Sequence, residues 1–263
     1  MKNRKSGLLV LLIVAVVVAG GCGGDQKKRV IAFVQATKDP SVNQLIMERY
    51  AWPIFRGLEK SGEPFQLDLY GISGHTAGSS AFYSATVRRG PTQGIERKDA
   101  EQRFLQLRRV LDKTYGPKES QLVDVLGSLR TVDDTLGGSS EGPLYVIYVS
   151  DMVQSSGGSG EGYDFTGFYG GRSLDDCRKH LSAEVGDRLL NKARFSSARV
   201  LVVKLDLQAL FREKGTETEA PPPNLGDIDA FWANDVFRGL LKVASYHVDS
   251  AKDPRRAIRD FLW

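Results

Sequence analysis

Carboxylates and hydroxyls near the ends of apolar runs are where this chain can do chemistry. Asp39, Asp68 and Asp151 are placed so, and carboxylates in such positions hold hard cations or carry protons. Asp39 lies in Gln35-Ala36-Thr37-Lys38-Asp39-Pro40-Ser41, after the first apolar run. Asp151 follows Tyr148-Val149-Ser150, at the end of the strongest apolar run, and Ser120 stands where a helical pattern opens after Pro117. A simpler reading of the same residues is local: Asp39 and Ser41 make a turn and a helix N-cap, and Asp151 caps the turn behind its strand. His75, His180 and His247 are widely spaced and include no H-x-x-x-H pair, so a zinc site has no support. His75, within Gly74-His75-Thr76, reads as a polar loop histidine. No P-loop occurs, and no histidine or lysine stands as an evident base beside the three aspartates.

The elements that must position these groups alternate in type. Buried or half-buried strands are expected over 29–37, 65–71, 143–149 and 198–207, with a shorter one over 81–87. Helical spacing marks 41–60, 98–115, 120–136, 174–190 and 227–244, and Pro53 is expected to kink or restart the first of these. Residues 157–162 read as a flexible glycine-rich loop, and 213–224, with three consecutive prolines, as an exposed one. Strands alternating with helices predict an α/β, three-layer, doubly wound and mostly parallel sheet, in one domain over 29–263. Ligands of such sheets gather at the carboxyl ends of the strands.

The first residues belong to another kind of segment. Lys2, Arg4 and Lys5 precede an apolar run from Leu8 to Ala19, which closes on Gly20-Gly21-Cys22. Twelve residues of helix span about 18 Å, too short for a hydrocarbon core of about 30 Å. The segment reads as a signal peptide over 1–21. Val18-Ala19-Gly20-Gly21-Cys22 resembles a bacterial lipobox, which implies diacylation of Cys22, a tether over 22–28 and a lipid anchor in the membrane. Gly23, in the place of Asp, implies the outer membrane of the envelope rather than the inner one. The full chain carries 36 Lys and Arg against 32 Asp and Glu. Removing residues 1–21 takes away three basic side chains and no acidic ones, leaving 33 against 32, or +1. The basic balance therefore offers no nucleic-acid surface. Two cysteines exclude a disulfide framework and a four-thiolate zinc site. Once Cys22 is an anchor, Cys177 is a lone thiol, read as buried and inert unless Arg178 and Lys179 activate it.

The order of elements, with Ser150-Asp151 behind the central strand, resembles a von Willebrand factor A-like domain. That family binds a metal through a D-x-S-x-S motif after the first strand, a Thr or Ser at a later helix start, and an Asp after the central strand. Asp151 matches the last element and Ser120 resembles the helix-start residue. Gln35, Thr37 and Asp39 take the first three positions as Q-x-T-x-D. An alternative register, Asp39, Ser41 and Asn43 as D-x-S-x-N, needs a longer strand. The resemblance implies that Gln35, Thr37, Asp39, Ser120 and Asp151 hold Mg²⁺, Mn²⁺ or Ca²⁺, with an open position for an acidic side chain of a partner protein. The expectation is a lipid-anchored, protein-binding envelope module rather than an enzyme. Its rivals are a metal-dependent hydrolase using Asp39, Asp68 and Asp151, and a structural lipoprotein with no ligand.

Overall fold

A computed structural model describes residues 28–37, 39–54, 64–72, 76, 79–81, 83–87, 102, 123–137, 142–156, 162–216, 222, 224–249 and 254–262. Cys22, His75, Ser120, the 1–21 segment and most of the helix expected over 98–115 lie outside the described residues. The strands are β1 (Lys28–Gln35), β2 (Phe65–Ile72), β3 (Tyr83–Val87), β4 (Leu144–Ser150), β5 (Arg199–Lys204) and β6 (Ser245–Asp249). The helices are α1 (Pro40–Ile46), α2 (Val125–Leu136), α3 (Leu174–Leu181), α4 (Lys192–Phe195), α5 (Leu207–Lys214), α6 (Leu225–Ala230) and α7 (Pro254–Leu262).

The strands form one sheet in the order β3-β2-β1-β4-β5-β6, parallel throughout except for the antiparallel β2–β3 pair. The fold is α/β and doubly wound, with helices on both faces of the sheet. Strand side chains alternate between two cores. Ile31, Phe33, Val146, Tyr148, Val200 and Val202 face one core, beside residues of α2, α3 and α6. Val30, Ala32, Val34, Tyr145, Ile147, Leu201 and Val203 face the other, beside residues of α1, α5 and α7. Burial on both faces explains why the central strands are continuously apolar. On the first face Phe33 stacks between Tyr70 and Tyr148, with ring centroids 5.3 and 5.2 Å away, and Tyr148 shares a 2.9 Å hydrogen bond with Ser128.

Pro53 lies in the helical residues 52–54, directly behind a π-helical turn. The chain passes from α1 through a π-helical turn, Met47–Ala51, and Trp52 N–H reaches back to the Met47 carbonyl. A widened turn accommodates a ring that lacks an N–H and crowds the turn before it. Similar π-helical continuations extend α3 over Ser182–Gly186 and α6 over Phe231–Leu240. Among the described residues no helix is long and apolar enough to cross a membrane.

Candidate functional site at the carboxyl edge of the sheet

The strand order reverses between β1 and β4, so their carboxyl ends border the crevice where ligands of such sheets sit. β1 ends at Gln35, shorter than the strand that the Asp39, Ser41 and Asn43 register would need. Asn43, a member of the longer register, lies inside α1 and serves the loop. Its amide nitrogen donates to the Thr37 carbonyl at 2.8 Å, and its Oδ1 accepts from Thr37 N–H at 2.6 Å and Thr37 Oγ1 at 3.0 Å.

Gln35 is buried and joins the two strand tips. Its Oε1 accepts from Ser150 Oγ at 2.7 Å and from Asp151 N–H at 2.9 Å. Ser150, fully buried, accepts in turn from Met152 N–H at 2.8 Å. Asp151 Oδ1 accepts from Val153 N–H at 2.9 Å. Met152 then takes a left-handed conformation, φ 61°, that costs a non-glycine residue roughly 1–2 kcal/mol. Its carbonyl is held by the indole N–H of Trp232 at 2.7 Å, so the surrounding structure fixes the strained turn.

Asp39 is the N-cap of α1. Its Oδ1 accepts from Ser41 N–H at 2.8 Å, Ser41 Oγ at 2.7 Å and, at 3.4 Å, Val42 N–H. The Ser41 hydroxyl is the main reason its carboxyl titrates below the usual range, and the Thr216 hydroxyl adds to the effect. Asp151 moves the other way: burial pushes its carboxyl up to about 6, against smaller stabilisation from Val153 N–H, Gln35 and the Lys204 charge. Lys204, at the end of β5, is itself paired with Asp229.

Gln35, Thr37, Asp39 and Asp151 therefore belong to one edge, but the structure gives each an intramolecular task. Ser120 lies outside the described residues. The helix expected to start there begins at Val125 and is capped by Asp124, whose Oδ1 accepts from Gly127 N–H at 2.9 Å. Gln154 ties this cap to the segment behind β4: its Nε2 donates to Asp124 Oδ1 at 3.1 Å and its Oε1 accepts from Leu126 N–H at 2.9 Å. Asp68 departs from the sequence reading. It lies in mid-strand opposite Ile31 and Ser84, buried, with Arg29 Nη2 at 3.3 Å and Ser84 Oγ at 2.7 Å. Four residues separate it from the end of β2, about 13 Å along the strand, so the aspartates of the hydrolase reading do not converge.

A hard cation needs several charged oxygens from the protein or keeps most of its water. Gln35 contributes none, and Asp39 and Asp151 each commit an oxygen to a backbone cap. Among the described residues no three His, Cys, Asp or Glu side chains gather as a cation site. The described residues of this edge do not fit the ion implied by the resemblance.

The sequence did not single out residues 163–172. Phe165 N–H donates to the Gln154 carbonyl at 2.9 Å, and the Phe165 ring packs against Phe231 and Trp232, beside the Met152 turn. Asp164, 2% exposed, accepts from Thr166 N–H at 2.9 Å and also from Thr166 Oγ1 and Tyr169 N–H. Gly167 and Gly170 both have φ of +76°, and between them Phe168 is 57% exposed. The Asp-x-Thr-Gly run was a readable sign of the side-chain-closed turn. Nothing local announced an exposed phenylalanine.

Cys177 is buried in the first core, where burial pushes its thiol up to about 12. Arg178 and Lys179 do not activate it.

No protein family matches the chain, and no curated protein does. Among solved structures it is similar to the manganese-loaded TRAP protein of Plasmodium vivax, with 15% identity, a TM-score of 0.37, and coverage of 90% of this chain and 74% of that one. It is also similar to the pilus adhesin SpaC of Lactobacillus rhamnosus GG in an open conformation. There the identity is 11% and the TM-score 0.46, over 91% of this chain and 29% of that one. Both likenesses are distant.

Proposed function

We propose that this chain is a lipid-anchored envelope protein whose α/β domain binds another protein at the carboxyl edge of its sheet. The observation that carries the docking face is Phe168: a large apolar side chain, mostly exposed, on a turn that a buried carboxylate and two positive-φ glycines hold in place. Exposed aromatics on preorganised loops make effective contacts because little ordering cost remains on binding. In this reading the chain is a binding module and not an enzyme. Cys22 carries the anchor, at the outer membrane, as the lipobox resemblance implies. Docking runs through the protein's own surface, since the donor set at the edge does not fit a resident cation.

A photo-crosslinking residue tests the face. At position 168, in the envelope of the native host, it should give a discrete protein adduct. The same residue at Leu190, 87% exposed but beside Asp133 near the far end of α2, should not. Adducts from 190 and none from 168 would sink the assignment. The anchor is tested separately: Cys22→Ser should abolish incorporation of a labelled fatty acid and release the chain from the membrane fraction.

A further inference from the structure

We propose that Gln35 replaces a divalent cation as the brace of this edge, so that the docking surface forms and works without Mg²⁺, Mn²⁺ or Ca²⁺. The proposal rests on the docking reading only for where a partner binds; the brace itself belongs to the folded chain alone.

A cation at such an edge would draw the β1 loop and the β4 tip together by attracting oxygens from both. Here one neutral side chain makes that link. The Gln35 carboxamide oxygen takes two donors from the β4 tip, Ser150 Oγ at 2.7 Å and Asp151 N–H at 2.9 Å. Two donors use both lone pairs of an amide oxygen, and the amide nitrogen beside it repels a cation. The neighbouring oxygens are committed as well. Ser150 Oγ donates to Gln35 while accepting from Met152 N–H. Thr37 Oγ1 lies 3.0 Å from Asn43 Oδ1 and 3.2 Å from the Asp39 carbonyl. Met152's carbonyl is taken by Trp232. The remaining charges also disfavour an ion: the Lys204 ammonium acts on Asp151 and is paired with Asp229. Ser150, Asp151, Met152 and Trp232 thus form one chain of bonds from β1 to the π-helical extension of α6, and Gln35 closes it.

Cation responses of the folded protein provide the test. The chain lacking residues 1–21 is melted in EDTA, and again in millimolar Mg²⁺, Mn²⁺ or Ca²⁺, and Mn²⁺ alone is titrated calorimetrically. The wild-type melting temperature should be the same in all four conditions, with no saturable heat for Mn²⁺. A resident site filled to a hundred times its Kd would raise it by roughly 5–10 °C, and that rise in the wild type would overturn the proposal. Gln35→Asp places a carboxylate against the Asp151 backbone and restores an acidic first position. It should melt lower than wild type in EDTA and regain the loss in Mn²⁺. A folded Gln35→Asp protein indifferent to Mn²⁺ would overturn the assignment of position 35 as the determinant. If that variant does not fold, the wild-type melts and titration still decide for or against the brace. The crosslink from position 168, repeated with EDTA and with Mn²⁺, should be equally strong. An adduct that requires Mn²⁺ overturns cation independence. Loss of the adduct in both conditions, with the melts as expected, removes the docking reading and leaves the brace standing.

Discussion

Asp151 and Gln35 show how much one atom's surroundings decide. An unfolded Asp151 ionises at the ordinary 3.8, and the folded one at about 6. Between these values the unfolded chain has released a proton that the folded chain keeps. The contribution of Asp151 to stability therefore falls as pH rises from about 4 to about 6 and is level above that. Asp151→Asn, which can still accept from Val153 N–H, should remove that slope and stabilise the protein at pH 7 by about 1–3 kcal/mol. Urea unfolding across pH 4–8 checks this; a slope unchanged in the variant would assign it to other groups. Gln35→Leu keeps the bulk and deletes the acceptor, leaving two donors at the β4 tip unpaired. A cost of about 1–3 kcal/mol per stranded donor is expected in the same measurement. The sequence brought out Gln35, Thr37, Asp39 and Asp151 because they cluster at the ends of apolar runs. It misplaced Asp68, which alternates into the middle of β2 between Leu67 and Leu69 and whose partner Arg29 lies 39 residues away.

At the scale of the element, caps and turns decide. Asp39→Ala removes three bonds from the start of α1 and should cost about 0.5–2 kcal/mol. Its ionised form is the favoured one in the fold, so its contribution is lost as pH falls through its lowered value. Asp164→Ala leaves the donors of residues 166 and 169 without their acceptor. It should open the 163–172 turn to proteolysis and backbone hydrogen exchange while the strands stay protected. Uniformly slow exchange in that variant would mean that the aromatic contacts alone hold the turn. Helices α2, α3 and α6 were legible from their periodic apolar faces. The start of α2 was not: Ser120 and Asp124 are both good caps, and the choice fell to Asp124 through a long-range bond from Gln154. β6 and α7 escaped altogether. β6 is a five-residue edge strand that is half exposed and weakly patterned, and α7 is recognisable as core only through its contacts with the second face of the sheet.

For the whole molecule, the alternation of strands and helices fixed the class, and the apolar runs of β1, β4 and β5 fixed the centre of the sheet. The sequence could not place β3 antiparallel at one edge, since its short strand pairs with β2 across a long polar segment. Cys177 reports on this assembly as a unit. It is sealed in the core shared by α2, α3 and α6, with its thiol raised by burial. Thiol reagents should leave it untouched in the native protein and label it only as fast as the molecule unfolds, so labelling in urea should track loss of circular dichroism. Rapid labelling without denaturant would mean that α3 detaches on its own.

The direction of β1 sets which way the molecule faces. Lys28, its first residue, is the sixth after Cys22, and Gln35, its last, lies at the proposed docking edge about 23 Å further along the strand. An anchor at Cys22 would pull on the amino end of the central strand pair. An acyl chain there would aim the Gln35–Asp151–Phe168 edge outward, away from the bilayer. β1 would then lie in line with any force from a captured partner. Parallel strands loaded along their length resist in shear, with every ladder bond of the β1–β2 and β1–β4 pairs sharing the tension at once.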